Sequence, residues 1–181
     1  MIDFFVKGGL LMWPILLCSI LALSIAIQKS WEFYSVWKAL SDDIETVLSK
    51  HLPYLEPIRD AIEAGRDEKE IGIIGTRQIR KMEKGLGMLS LIAVISPLLG
   101  LTGTVTGMIK AFQVIAASQT QVNPGMLAGG IWEALITTAA GLFVAIPTHV
   151  AGHFLEDRLD HIALIIKEAA SYAFSRRRHG D

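Results

Sequence analysis

The chain has 181 residues, of which 51% are hydrophobic and 19% are charged, and its formal net charge is −1. This composition is too apolar for an ordinary soluble domain and favours a membrane protein, while the near-neutral charge gives no support to nucleic-acid binding. The single cysteine, Cys18, excludes an intrachain disulfide and a paired-cysteine metal or redox site.

Three apolar runs are long enough to cross a bilayer. We predict transmembrane helices over residues 10–28, 85–110 and 126–150, because about 20 apolar residues span the hydrocarbon layer. The first run is longer than the apolar core of a secretory signal and leads to no small-residue cleavage site, so we interpret it as an uncleaved anchor. An Asn-Pro-Gly sequence marks a turn between the second and third runs.

Positive charges orient these helices. The segment between the first and second runs carries ten Lys or Arg, and the tail after the third carries five. Because positive residues collect on the cytoplasmic side, we predict an outside N-terminus and an inside C-terminus. The predicted segments outside the membrane are a periplasmic N-terminus at residues 1–9, a cytoplasmic region at 29–84, a periplasmic turn at 111–125 and a cytoplasmic tail at 151–181.

Both cytoplasmic segments carry apolar residues at helical spacing. Residues 67–84 lead into the second run without a proline, and the tail repeats apolar positions on one face. We therefore predict an all-α membrane protein with three transmembrane helices and long cytoplasmic helical extensions, which are continuous with the spans and pack as a bundle. The predicted packing face of the tail consists of Leu155, Leu159, Ile162, Ile166 and Ala169–Ala170.

Glu133 is the only charged residue between Lys110 and Glu156. A carboxylate near the middle of a spanning helix costs roughly 2.5–3.5 kcal/mol on insertion scales, so such a group usually faces a protein interior or a watery cavity. Glu133 is therefore a candidate functional residue. It could relay protons, or it could stay neutral and orient water or a partner.

Small residues form one stripe on each of the second and third runs. At about 100° per residue, the members of each stripe fall within roughly a 100° arc of the helix. Such stripes let membrane helices approach closely, but the carboxylate among them favours a polar lumen or a partner site. The predicted packing or lumen face consists of Ser96, Gly100, Gly103, Gly107, Gly130, Ala134 and Gly141.

The sequences SPLLGLTGTVTGMIKAF and LAGGIWEALITTAAGLFVAIPTHV resemble the signature of the ExbB, TolQ and MotA proton-channel subunits. The likeness is closest to the ExbB/TolQ branch and extends over nearly the whole chain. By motif position, the resemblance implies that Thr104, Glu133 and Thr138 are pore residues, with Thr137 beside them. Thr106 stands where that family has a bulky residue.

The resemblance implies a ring-forming subunit of an ion-driven motor in the bacterial inner membrane, not an enzyme, and one that needs no cofactor. In that family, pentamers surround single-span partners related to ExbD or TolR, whose membrane aspartate is protonated, and a TonB- or TolA-like protein carries the output to an outer-membrane or envelope process. This chain has no aspartate in its predicted spans, as expected if another chain supplies that acceptor. A flagellar or gliding stator and a passive membrane scaffold remain alternatives.

Two further features have alternative interpretations. Pro14, Pro97 and Pro147 place one proline in each predicted span, where they permit kinks that shape a lumen or have no role beyond a local bend. His149 and His153 have the i, i+4 spacing of a metal-binding pair, yet no glutamate follows the first histidine as in a zinc protease motif. We therefore predict solvated histidines and no metal site.

Overall fold

The computed structural model describes residues 8–40, 54–117 and 124–178, and these residues form helices and turns without a strand. The all-α prediction is therefore confirmed. Three of the helices, α1, α4 and α5, are long and apolar enough to cross a membrane. The helices are α1 (Met12–Leu40), α2 (Glu56–Glu63), α3 (Glu68–Glu83), α4 (Leu86–Ala117) and α5 (Pro124–Arg178).

The helices extend beyond the predicted spans. Helix α4 continues to Ala117, so part of the predicted turn at residues 111–125 is helical, and Pro124 begins α5, where its fixed φ suits a first helical position. The predicted bends at the turn's centre, residues 118–123, lie outside the described residues, as does most of the predicted N-terminal segment.

The chain divides into two compact units. The first comprises Met1–Ala26 and Met88–Gly152, and the second comprises Ile27–Gly87 and His153–Asp181. The first unit therefore holds the most apolar parts of α1, α4 and α5. The second holds α2, α3 and the polar continuations of α1 and α5.

In the first unit, the two small-residue stripes face each other and pack α4 against α5. A Cβ at Gly100 would lie 3.0 Å from the Cα of Thr138, and one at Gly141 would lie 2.5 Å from the carbonyl oxygen of Ser96. The two backbones are thus too close for side chains at these positions. Within one chain these small residues pack α4 against α5. The other members of this contact are Gly103, Gly107, Ala111, Gly130 and Ala134.

Helix α1 buries only a narrow side in the first unit. Met12, Ile15 and Ala22 are buried, whereas Leu17 and Ile20 are exposed. Exposed aliphatic residues along a helix of this length are what a lipid-facing surface requires, because lipid tails are as apolar as leucine.

The second unit is held by a polar group that we call the Lys29 cluster: Lys29, Glu32, Tyr54 and the carbonyl of Met82. The buried Lys29 Nζ donates to Glu32 Oε2 at 2.8 Å and to the Met82 carbonyl at 3.0 Å, and the Tyr54 hydroxyl donates to Glu32. Met82 lies in the last turn of α3, where carbonyls have no partner inside the helix. Lys29 therefore caps α3 and joins it to α1.

The apolar face predicted for the C-terminal tail is confirmed at four positions, and the side chains of Ala169 and Ala170 lie outside the described residues. Leu155, Leu159, Ile162 and Ile166 are buried in the second unit, and α5 continues through them without a break. The spacing of three or four residues places these side chains on one side of the helix.

The prediction that residues 67–84 continue directly into the second span is wrong. Helix α3 ends at Glu83 and α4 begins at Leu86. Gly85, between them, has φ 100, a left-handed conformation that ends a helix and that glycine adopts without steric strain.

The three prolines occupy different kinds of position. Pro97 and Pro147 lie inside α4 and α5, where each removes a helical hydrogen bond. Pro14 lies in the first turn of α1, where the N–H has no partner in the helix in any case. A kink is therefore not required at Pro14.

The Lys29 cluster predicts an abnormal tyrosine titration. Burial, followed by the hydrogen bond and the negative charge of Glu32, raises the pKa of Tyr54 from 10.0 to about 12. Because the folded value is the higher one, the stabilisation from this hydroxyl is complete below pH 10 and is lost as the pH rises towards 12. The ultraviolet absorbance of ionised tyrosine, compared between the wild type and Tyr54→Phe, measures this group. If the absorbance difference between the two proteins had its midpoint near pH 10, Tyr54 would not be buried against Glu32 as described.

Candidate functional site

The two charged residues of the apolar helices lie together. Lys110 and Glu133 are the only Asp, Glu, Lys or Arg residues between Lys84 and Glu156, and Lys110 Nζ lies 2.8 Å from Glu133 Oε1. The pair joins α4 to α5 across 23 positions of sequence. A charge in apolar surroundings is tolerated when it is paired and hydrogen-bonded, and this pair meets that condition.

Glu133 lies nearer to the α4–α5 connection than to the middle of its helix. It is nine residues past Pro124, where α5 begins, which corresponds to about 13 Å along the axis. Lys110 is seven residues before Ala117, where α4 ends, or about 10 Å. Glu133 therefore lies in the early part of α5, and Lys110 is its partner.

The turn that precedes α1 lies against Glu133. Gly9 has φ 71 and lies so close to Glu133 that a Cβ would collide with the carboxylate. The carbonyl of the buried Gly8 lies 3.2 Å from Thr137 Oγ1 and is an alternative acceptor for its proton. Gly9 thus lets the N-terminal turn approach Glu133 more closely than a residue with a side chain would.

The predicted pore threonines are engaged with backbone carbonyls. Thr137, only 1% exposed, donates to the Glu133 carbonyl at 2.6 Å, and Thr138 donates across the helix pair to the Gly100 carbonyl at 2.9 Å. The half-buried Thr104 donates within α4 to the Leu101 carbonyl at 2.6 Å. A hydroxyl has one proton and two lone pairs, so these oxygens remain able to accept a hydrogen bond. The structure groups Glu133, Thr137 and Thr138 at the α4–α5 contact.

Two polar residues outside the predicted pore set are exposed on α4. Thr102 and Thr106 lie one turn apart, and their hydroxyls donate to the carbonyls of Leu98 and Thr102 at 2.8 and 3.0 Å. A hydrogen bond from the hydroxyl to a carbonyl of the preceding turn satisfies the hydroxyl in an apolar environment.

Lys110 was not among the predicted site residues, although its isolation between two uncharged runs was a visible signal.

The histidine pair shows no metal-binding arrangement. Among residues 8–40, 54–117 and 124–178, no three His, Cys, Asp or Glu side chains come close enough to hold a metal ion. His153 instead lies 3.8 Å from Asp157, one turn further along α5, and both side chains are largely exposed.

Comparison with known proteins gives these residues a context. A profile of the MotA/TolQ/ExbB proton channel family matches residues 38–168. The chain belongs to this family. The matched region contains Lys110, Glu133 and the threonines described above. The resemblance inferred from the two membrane sequences is therefore confirmed.

Individual relatives agree with the ExbB/TolQ branch. An ExbB-like biopolymer transport protein of Synechocystis is 35% identical over 179 residues, which cover 81% of this chain and 66% of that protein. The biopolymer transport protein exbB1 of Vibrio cholerae is 29% identical, over 91% of this chain and 82% of its own. TolQ of Haemophilus influenzae is 42% identical over 48% of this chain and 37% of its own. With three helices able to span a membrane, the chain is a multi-pass protein of the bacterial inner membrane.

The closeness of Gly9 to Glu133 leads to a stability prediction. Gly9→Ala forces a side chain into a left-handed conformation, which costs about 1–2 kcal/mol, and pushes the new Cβ against the carboxylate. We expect a thermal midpoint lower by about 2–6 °C in detergent. The matched control is Gly129→Ala, since a Cβ there meets open space in α5. An equal effect of the two substitutions would show that the turn does not close over Glu133.

Proposed function

We propose that the chain is the ring-forming subunit of an ExbB/TolQ-type motor driven by the proton-motive force. The observation that carries this proposal is the match of residues 38–168 to the proton channel family. The motor would energise an outer-membrane or envelope process, such as import through a TonB- or Tol-type protein. The role proposed is ion-coupled transport and not enzymatic catalysis, and it needs no cofactor. A charge crossing 100 mV supplies about 2.3 kcal/mol.

The proposal includes the topology predicted from charge. The ten basic residues between the first two spans and the five after the third support an inside location for both segments. The α4–α5 connection and the turn at Gly8 then lie on the periplasmic side. The Lys110–Glu133 pair accordingly lies in the outer part of the membrane.

The proposal also includes partners. Glu133 is the only carboxylate between Lys84 and Glu156, and it already has a cation beside it. A second chain is therefore the better source of an acid without a cation beside it, which favours a single-span ExbD/TolR-like partner with a membrane aspartate. We propose a homo-pentamer around such partners, with a TonB/TolA-like protein as the output. Curated relatives carry the names biopolymer transport protein and Tol-Pal system protein.

In this assembly Thr104, Glu133, Thr137 and Thr138 would line the proton path. Because the glycine stripes are used to pack α4 on α5, the path has to be completed by another chain and not by a gap inside this one. Threonine oxygens that accept hydrogen bonds can hold water there.

A passive scaffold is the second candidate. Two observations favour it: the small residues pack α4 against α5 within one chain, and Lys110 pairs with Glu133. Both would be expected of a membrane protein whose helices only build an oligomer.

Substitution of Glu133 separates the two candidates. In proteoliposomes of the complex co-expressed with its neighbouring genes, Glu133→Ala and Glu133→Leu should reduce proton flux by at least tenfold. Glu133→Gln should retain more flux than Glu133→Ala, because the amide oxygen still accepts a hydrogen bond from Lys110. A pH-sensitive dye inside the vesicles measures the flux.

The control is Glu156→Gln, which removes an exposed carboxylate. Wild-type flux in Glu133→Leu would support the scaffold, and equal losses in the Gln and Ala variants would exclude an orienting role.

The composition of the complex tests the ring. Native mass spectrometry of the gently extracted protein should show several copies of this chain, five by the proposal, with a few copies of a small single-span protein. The sequence of that protein also identifies the process that is driven, including the stator alternative. A monomer or dimer without a bound protein would contradict the motor.

A further inference from the structure

The cation position beside Glu133 is filled by the chain itself. Lys110 Nζ lies at hydrogen-bond distance from Glu133 Oε1, and the side chains are 59% and 28% exposed. The pair therefore remains reachable from one side and is not sealed in the protein. In the described part of the first unit, residues 8–26 and 88–152, no other Asp, Glu, Lys or Arg occurs.

Oxygen atoms near the carboxylate could act as ligands of a free metal cation. Hard cations bind through several oxygen ligands at once. The Thr137 hydroxyl can donate its proton to the Glu133 carbonyl at 2.6 Å or to the Gly8 carbonyl at 3.2 Å. In either case its lone pairs remain available to a cation. A cation that entered would also meet the ammonium of Lys110, whose like charge repels it.

We propose that Lys110 determines the ion specificity of this site as a tethered cation. Its ammonium takes the place beside Glu133 that a sodium ion would otherwise occupy, so the site does not bind sodium. This inference rests on the proposed function, since specificity has a meaning only where an ion passes. In this proposal Lys110 does not bind the ion itself but controls which cation can reach the Glu133 carboxylate.

A structural role alone would make a different prediction. If Lys110 only neutralised Glu133 for insertion into the membrane, its removal would lower stability equally in every salt. If Lys110 excludes sodium, its removal leaves an unpaired, partly exposed carboxylate that sodium can neutralise. The thermal midpoint of the variant then depends on sodium, because a ligand that binds the folded state stabilises it.

The test is a sodium titration of the thermal midpoint of the purified full-length protein, with choline replacing sodium at constant ionic strength. We expect the midpoint of Lys110→Met to rise by about 2–4 °C on full replacement of choline by sodium. The wild type and Lys110→Arg, which keeps a tethered cation, should not respond. Lys69→Met is the matched control, since it removes an exposed lysine from the first turn of α3, where a positive charge does not stabilise the helix.

Two outcomes would overturn the inference: a sodium response in the wild type, or none in Lys110→Met. If Lys110→Met does not fold, Lys110→Gln serves in its place, because the amide keeps a hydrogen bond to Glu133 without the charge. The double variant Lys110→Met/Glu133→Gln should lose the response, which assigns the sodium to the carboxylate. These measurements require no partner and no flux. If Lys110→Met shows no sodium response but proton flux still depends on Glu133, only the proposed role of Lys110 is rejected. If Lys110→Met responds to sodium but the complex conducts no protons, the proposed motor function is rejected.

Discussion

The close approach of the α4 and α5 backbones is the constraint on which the first unit depends. Between membrane helices the hydrophobic effect contributes little, so association relies on packing and on hydrogen bonds between helices. Glycines at 100 and 141 allow the contact, and the Thr138 hydroxyl adds a hydrogen bond to the Gly100 carbonyl. A side chain larger than hydrogen at these positions would separate the helices.

This contact also fixes the charges. Lys110 and Glu133 are on different helices, and they meet only because the packed glycines set the axial alignment and rotation of α4 against α5. The N-terminal turn then closes over the carboxylate through Gly9. One packing surface thus positions a carboxylate, its counter-ion and the threonines beside it, which is why the small residues and the polar residues cannot be assigned to separate structural and functional sets.

The second unit is stabilised differently. There a buried lysine, a glutamate and a tyrosine hydroxyl end α3 and hold it to the continuation of α1, while Gly85 ends the helical path before α4. Polar groups can carry this role because each buried donor and acceptor has a partner. In the first unit, glycines without side chains hold two helices together instead, because they let α4 and α5 approach closely.

The sequence by itself determined the membrane class, the three spans, the family and the helical face of the tail. These properties depend on apolar length, on periodicity and on local motifs, all of which a linear sequence displays. It also identified Glu133 and the small residues, because a charge or a glycine stripe in an apolar run is unusual in itself. Only the tertiary structure decided what they contact: the stripes pack α4 on α5, Lys110 pairs with Glu133, and Gly9 lies against the Glu133 carboxylate. Contacts between residues 23 or more positions apart depend on how whole helices are rotated and aligned, and no local pattern contains that information.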